Sequence, residues 1–266
     1  MTALVCVALA APVVAFASRA TRGVVVRRLS SGSVTATCPK GEHVAFGGLV
    51  AEFEAPPKAP KHPVVFPEGM RRTAPDRWTV LGQNGAPDTG SRLTAIAYCN
   101  RGAVPSTASN AVAVAANRTG AATATCPAGK VVVGGGYNSG ASLHHLELMV
   151  RLERPSPTQW RVILRNIAPR ATNVTAIAYC AAGPAPTERV TTVTMPKHKG
   201  GTARASCPAN TSLVFGGLIA NSPRSGIHGA DLEAFSWTAA STKQWVVTGF
   251  NDGDAGGTLE ALAYCR

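Results

Sequence analysis

Ala121-Ala-Thr-Ala-Thr-Cys-Pro-Ala-Gly129, Val132-Val-Gly-Gly135, Gln159-Trp-Arg-Val162 and Val174-Thr-Ala-Ile-Ala-Tyr-Cys180 decide the fold, because the chain carries this series three times. An earlier copy reads Ser33-Val-Thr-Ala-Thr-Cys-Pro-Lys-Gly41, Val44-Ala-Phe-Gly-Gly48, Arg77-Trp-Thr-Val80 and Leu93-Thr-Ala-Ile-Ala-Tyr-Cys99. A later copy reads Ala203-Arg-Ala-Ser-Cys-Pro208, Val214-Phe-Gly-Gly217, Gln244-Trp-Val-Val247 and Leu259-Glu-Ala-Leu-Ala-Tyr-Cys265. The spacing is held: Trp78, Trp160 and Trp245 each stand six positions before an Asn, at 84, 166 and 251. Another apolar run precedes each Cys-Pro: Val24 to Leu29, Ala111 to Ala115, Val190 to Thr194. The chain therefore divides into units 18–100, 101–182 and 183–266, and such internal repetition constrains architecture before any other feature.

Composition agrees with strands. Of 266 residues only 15% are charged and 45% are hydrophobic, which excludes a disordered chain. The 27 glycines and 19 prolines interrupt the chain too often for long helices. Within each unit the apolar runs are short and bounded by Gly, Pro, Asn or Asp, the pattern of strands and turns. Along Trp160-Arg-Val-Ile-Leu-Arg-Asn166 alternation puts Trp160, Val162 and Leu164 on one face, with Arg161 and Arg165 on the other. The tryptophan face is thus the buried one, and core packing is preferred to ligand stacking for all three tryptophans. The paired glycines carry no G-x-G-x-x-G or P-loop pattern, so they mark a bulge or a close approach of backbones.

Residues 2–17 carry no charge and end in Ala15-Phe16-Ala17, a small-x-small triplet before Ser18-Arg19. This reads as a signal peptide, residues 1–17, cut at Ala17–Ser18, although it lacks a basic leading region. The run is too short for the roughly 20 apolar residues of a membrane span, and Pro12 interrupts it. A lipoprotein reading through Cys6 fails for want of an apolar region before it. Export implies a secreted, extracellular protein with no membrane span.

Six cysteines remain after the leader, an even number that predicts a disulfide framework in an oxidising compartment. The triplication selects Cys38–Cys99, Cys126–Cys180 and Cys207–Cys265, because units that fold alike find the same local partner. Each closed loop restrains the unfolded chain by about 4 kcal/mol. No C-x-x-C pair supports a zinc site, and no thiol is left over as a nucleophile.

Three antiparallel units suit a closed three-sided arrangement in which each copy, of four or so strands, supplies one sheet. A trefoil barrel and three separate sandwiches are the other candidates. The connections after Cys99 and Cys180 run directly into the next apolar strand, which disfavours separate domains. On Cys38-Pro-Lys-Gly41, Cys126-Pro-Ala-Gly129 and the three Ala-Tyr-Cys endings, the chain resembles triplicated Cys-Pro-x-Gly exported proteins of actinobacteria. It is less closely similar to the β-prism proteins of the vitelline-membrane outer-layer type. That resemblance implies an all-β, three-fold pseudosymmetric β-prism of three antiparallel, Greek-key-like sheets with one disulfide per repeat.

Function is carried by what differs between the copies, since loops on a rigid frame are where binding groups sit. The net charge of +12 divides as +5, +6 and +1 over the three units. A basic side formed by the first two copies attracts polyanions. Its contributors are Arg27, Arg28, Lys58, Lys61, Arg71, Arg72, Arg151, Arg154, Arg161 and Arg165. No aromatic residues alternate with these charges, which argues against a nucleic-acid platform. A plain solvated surface is the competing reading.

Catalytic patterns are thin. His144-His145 with Glu147 falls short of a metal centre, because adjacent strand residues face opposite ways. Asp252-Gly-Asp254 lacks the later Glu of a calcium loop and reads as a turn. Asn117, Asn173 and Asn210 match the glycosylation pattern only. The expectation is a non-catalytic, monomeric exported protein without cofactor or metal that binds a glycan or anionic cell-wall polymer. A structural envelope protein is the alternative. A glycan-acting enzyme using Glu147, Glu153, Asp231 or Glu233 comes last.

Overall fold

The computed structural model describes residues 16–53, 65–85, 90–139, 147–221 and 232–266, and every helix or strand among them is a strand. The first copy forms β1 (Ser18–Val26), β2 (Ser30–Thr37), β3 (His43–Phe53), β4 (Val65–Ala74), β5 (Arg77–Asn84) and β6 (Ser91–Asn100). The second forms β7 (Ser106–Val114), β8 (Thr119–Thr125), β9 (Val131–Ser139), β10 (Glu147–Ser156), β11 (Gln159–Asn166) and β12 (Thr172–Ala181). The third forms β13 (Thr187–Met195), β14 (Lys199–Ser206), β15 (Leu213–Asn221), β16 (Leu232–Ser241), β17 (Gln244–Asn251) and β18 (Gly257–Cys265). Each unit therefore has six strands, not four. In copy one β4 is one of the strands beyond four, and it runs through Pro67 and Glu68-Gly-Met-Arg-Arg72.

The strands make three six-stranded antiparallel sheets in a three-fold pseudosymmetric β-prism. Their orders are β1-β6-β3-β16-β17-β14, β2-β5-β4-β9-β12-β7 and β13-β18-β15-β10-β11-β8. Every sheet mixes three strands from one copy with three from another. A copy is consequently a corner of the prism, folded across two sheets, and not one of its faces. The physical reason lies in the seams. Among the described residues the copies join at β4–β9, β10–β15 and β16–β3, each through two residue pairs, such as Gly69↔Asn138 and Met70↔Tyr137. A unit buries apolar surface first across its corner and then by closure of the ring.

The disulfides follow the same logic. Cys38–Cys99, Cys126–Cys180 and Cys207–Cys265 all form, with Cα atoms 5.6–5.7 Å apart. Cys38 follows β2 and Cys99 lies in β6, so the bond ties two different sheets; the other two do likewise at their corners. Three staples thus link three sheets in a cycle.

The tryptophans and glycines are one device. Trp78, Trp160 and Trp245 are at most 1% exposed. Each lies flat against the first glycine of its own copy's pair, on the other sheet of the corner. A Cβ on Gly47, Gly135 or Gly216 would fall 2.0–2.1 Å from that indole. The second glycine serves the seam: a Cβ on Gly48, Gly136 or Gly217 would meet the carbonyl of Trp237, Met70 or Leu152 at 2.2–2.5 Å. Both are cases of backbone approach that only glycine allows. Burying each indole removes about 200 Å² from water, about 5 kcal/mol.

The asparagine six residues after each tryptophan is a buried clamp. Asn166 Nδ2 donates to the carbonyls of Val114, Ala115 and Arg170, and its Oδ1 accepts from Ala168 N–H. Asn251 repeats this with Met195, Pro196, Ala255 and Gly253. Asn84 donates to Val26. Each clamp holds the turn that starts its corner, where Leu29, Asn117 or His198 takes a left-handed φ of 48–58°. The Asp252-Gly-Asp254 segment is accordingly a turn around Asn251.

Candidate functional site

The corners are the divergent part of this frame. After the turn at 27–29, β1 joins one sheet and β2 another, so the two strands splay. Between them lies a cleft of about 460 Å³ whose polar lining is Arg22, Arg77 and the hydroxyls of Ser33, Thr35, Thr37 and Thr73. Val24 and Val34 supply apolar wall, and no acidic residue contributes among the described residues. Thr79 Oγ1 is 2.8 Å from both Thr35 Oγ1 and Thr73 Oγ1, which sets a row of hydroxyls across β2, β5 and β4. β-Branched threonine suits such a half-exposed pleated surface.

The other two corners keep some of the hydroxyls, with Thr123 and Thr125 at the places of Thr35 and Thr37, but replace both guanidiniums. Arg22 stands fifth in β1, where β7 has Asn110 and β13 has Thr191. Arg77, first in β5, corresponds to Gln159 and Gln244. Ser33, beside Val34 on β2, corresponds to Ala121 of copy two. At the second corner Asn110 Nδ2 donates to Thr123 O, 3.1 Å away, and so bridges β7 to β8. Among the described residues the pairing of two guanidiniums with four hydroxyls occurs at the first corner alone. Charge counting passed over Arg22 and Arg77; aligning the three copies along β1 and β5 exposes them.

The arginines expected to form one basic face are dispersed. Arg71 and Arg72 lie on β4; Arg151, Arg154, Arg161 and Arg165 lie on β10 and β11 of a different sheet. Most are engaged within the fold. Arg72 stacks 4.5 Å over the Tyr179 ring and donates to Pro105 O, while Arg154 stacks 4.9 Å over Tyr264 and donates to Pro186 O. These two guanidiniums clasp the connections between copies, and burial pulls both below the usual arginine pKa. Arg71 donates to Asn138, and Arg151 to Asn221. Arg161 binds Glu153 through Nε and Nη2, at 2.9 and 2.5 Å. Arg165 is 8% exposed, against its expected place in solvent. It sits on the outward face but between Thr119 and Leu148 of the flanking strands, so facing outward does not expose it. Arg27 and Arg28 are exposed in the first turn. Lys58 and Lys61 lie outside the described residues.

Of the carboxylates, Glu153 is committed to Arg161, with Arg151 3.8 Å away. Glu233, at the start of β16, is pushed up to about 8 by burial and by the Asp252 charge. The residue as a whole keeps partial exposure while its carboxyl is enclosed. Asp231, His144, His145 and the Glu147 side chain lie outside the described residues. Among the described residues no three His, Cys, Asp or Glu side chains gather as a metal site, and no helix is long and apolar enough to cross a membrane. No protein-family model matches the chain, and no curated protein matches it.

Proposed function

We propose that this is an exported, non-catalytic protein that binds an acidic glycan or related anionic polymer at the first corner. The observation that carries the reading is the cleft between β1 and β2, with two guanidiniums, four hydroxyls and no carboxylate in its lining. Guanidinium forks match carboxylates and sulfates, and hydroxyl rows match sugar hydroxyls. The cleft's volume falls in the range of ligand sites. Sheet-linking disulfides and the uncharged leader support export, where such polymers are met.

The test is calorimetric titration of a polyuronate and of a neutral glucan into wild type and an Arg22→Ala/Arg77→Ala double variant. The polyuronate should bind wild type, weaken as salt rises towards physiological strength, and lose roughly tenfold or more in affinity on the variant. Unchanged affinity in the variant overturns the assignment to this corner, and equal affinity for the neutral glucan overturns the charge argument.

A further inference from the structure

A second cavity lies where the three copies meet. It has a volume of about 160 Å³, and its walls include Ala45, Val133 and Val214. These are the residues that the ladders skip, between Val44 and Phe46, between Val132 and Gly134, and between Leu213 and Phe215. One comes from each copy at the same place in the motif, so the cavity straddles the pseudo-threefold axis. Asn100, Ala181 and Arg266, the residues that directly follow the closing cysteines, also line it and place it at the disulfide end.

Shape repeats around this axis, but chemistry does not. His43 opens β3 where β9 has Val131. It is 7% exposed and lines the cavity. Burial and the Arg72 charge hold its pKa below the ordinary value, so near neutral pH the ring offers one donor and one acceptor. Arg266 donates to Pro184 O, yet its Nε is buried with no partner, and Arg154 adds a like charge nearby. Arg101 stands at the mouth, 81% exposed and 3.6 Å from Glu42. The polar part of the wall is donor-rich and cationic, and the remainder is apolar.

We propose that the axial cavity is a binding site for a small carboxylate with a short apolar tail. The carboxylate meets Arg101, Arg266 and the His43 ring, and the tail packs on Ala45, Val133 and Val214. The volume equals about five waters' share of liquid, room for an acid of roughly three to five carbons. The site rests on residues distinct from those of the first corner and stands independently of the polymer reading.

The test is a ¹⁵N NMR titration of the full chain with propionate, butyrate and valerate, against sodium chloride of equal ionic strength and butylamine. Butyrate should give saturable shifts at Ala45, Val133 and Val214 that chloride and butylamine do not. Val133→Phe fills the cavity and should abolish them while leaving polyuronate affinity unchanged. Arg101→Ala, an exposed position that folding does not depend on, should weaken butyrate roughly tenfold. Shifts that do not saturate, that chloride or butylamine reproduce, or that survive Val133→Phe overturn the proposal. If Val133→Phe does not fold, an unchanged affinity in Arg101→Ala overturns it instead.

Discussion

The interior seats and the outer corners were built from one triplicated sequence, yet they differ in how faithfully the copies agree. Gly47, Gly135 and Gly216 are all glycine, each beneath a tryptophan with no room for a methyl group. At the corners, Arg22, Asn110 and Thr191 share one position and have nothing in common. The lesson is that pseudosymmetry here is a packing requirement. Where two backbones and an indole must touch, no copy has latitude. Where a side chain faces solvent, each copy can acquire its own chemistry, and one of them has acquired a cationic, hydroxyl-lined cleft.

The sharpest way to break the comparison is Gly135→Val. The new Cβ would sit 2.0 Å from the Trp160 ring, so the corner must open. A loss of about 4 kcal/mol or more is expected, seen as failure to fold or a melting point lower by roughly 10 °C. Arg22→Asn and Arg77→Gln, which give corner one the residues of corner two, should together change stability by less than about 0.5 kcal/mol. Equal damage from the two kinds of change would erase the distinction.

Glu233 tests a copy-specific intrusion, since it stands where the other copies place Phe66 and Leu148. Its folded pKa of about 8 exceeds the unfolded value near 4.3. The folded state therefore holds a proton that the unfolded chain releases, and stability falls as pH rises from about 4.5 to 8. Below that window the carboxyl costs nothing by ionisation, and above it the penalty is constant. Glu233→Gln should flatten the decline and raise stability at pH 8 by on the order of 2 kcal/mol, discounted for partial exposure. Thermal melts from pH 4 to 9 check this; a variant with the same slope as wild type removes Glu233 as its source.

The clasps separate the joints. Arg154→Ala removes a cation–π contact and a bond to Pro186 and should cost about 1.5 kcal/mol. At the corresponding place the third joint has Ala239, whose N–H donates to Tyr98 Oη at 2.7 Å. The smallest contrast is within the indole seats. Trp160 and Trp245 donate to Gly136 and Gly217 carbonyls at 3.1 and 2.9 Å, whereas Trp78 Nε1 has no partner among the described residues. Trp160→Phe should thus cost about 1 kcal/mol more than Trp78→Phe by denaturant unfolding.

Much of this was legible in advance. The Tyr-Cys and Cys-Pro elements revealed three units and paired the cysteines, because identical local sequences close identical loops. The alternation around Trp160 marked the buried face. The regular Trp-to-Asn interval was visible, but its meaning was not: the carbonyls that Asn166 clamps belong to residues 114 and 115, some fifty positions earlier. Arg72 and Arg154 looked like surface charge for the same reason, since Tyr179 and Tyr264 lie in the following copy. The corner cleft was hidden because it depends on two strands adjacent in sequence entering different sheets.

Sequence alone determined three equivalent β units, their internal disulfides and which face of each strand is apolar, since alternation and repetition are properties of the chain read in order. Only the tertiary structure decided that a unit is a corner spanning two sheets, that seams of two residue pairs close the ring, and which cations are consumed inside it. Those outcomes turn on contacts between residues far apart in the chain, formed when three half-buried surfaces cover one another, and no local pattern records which surface meets which.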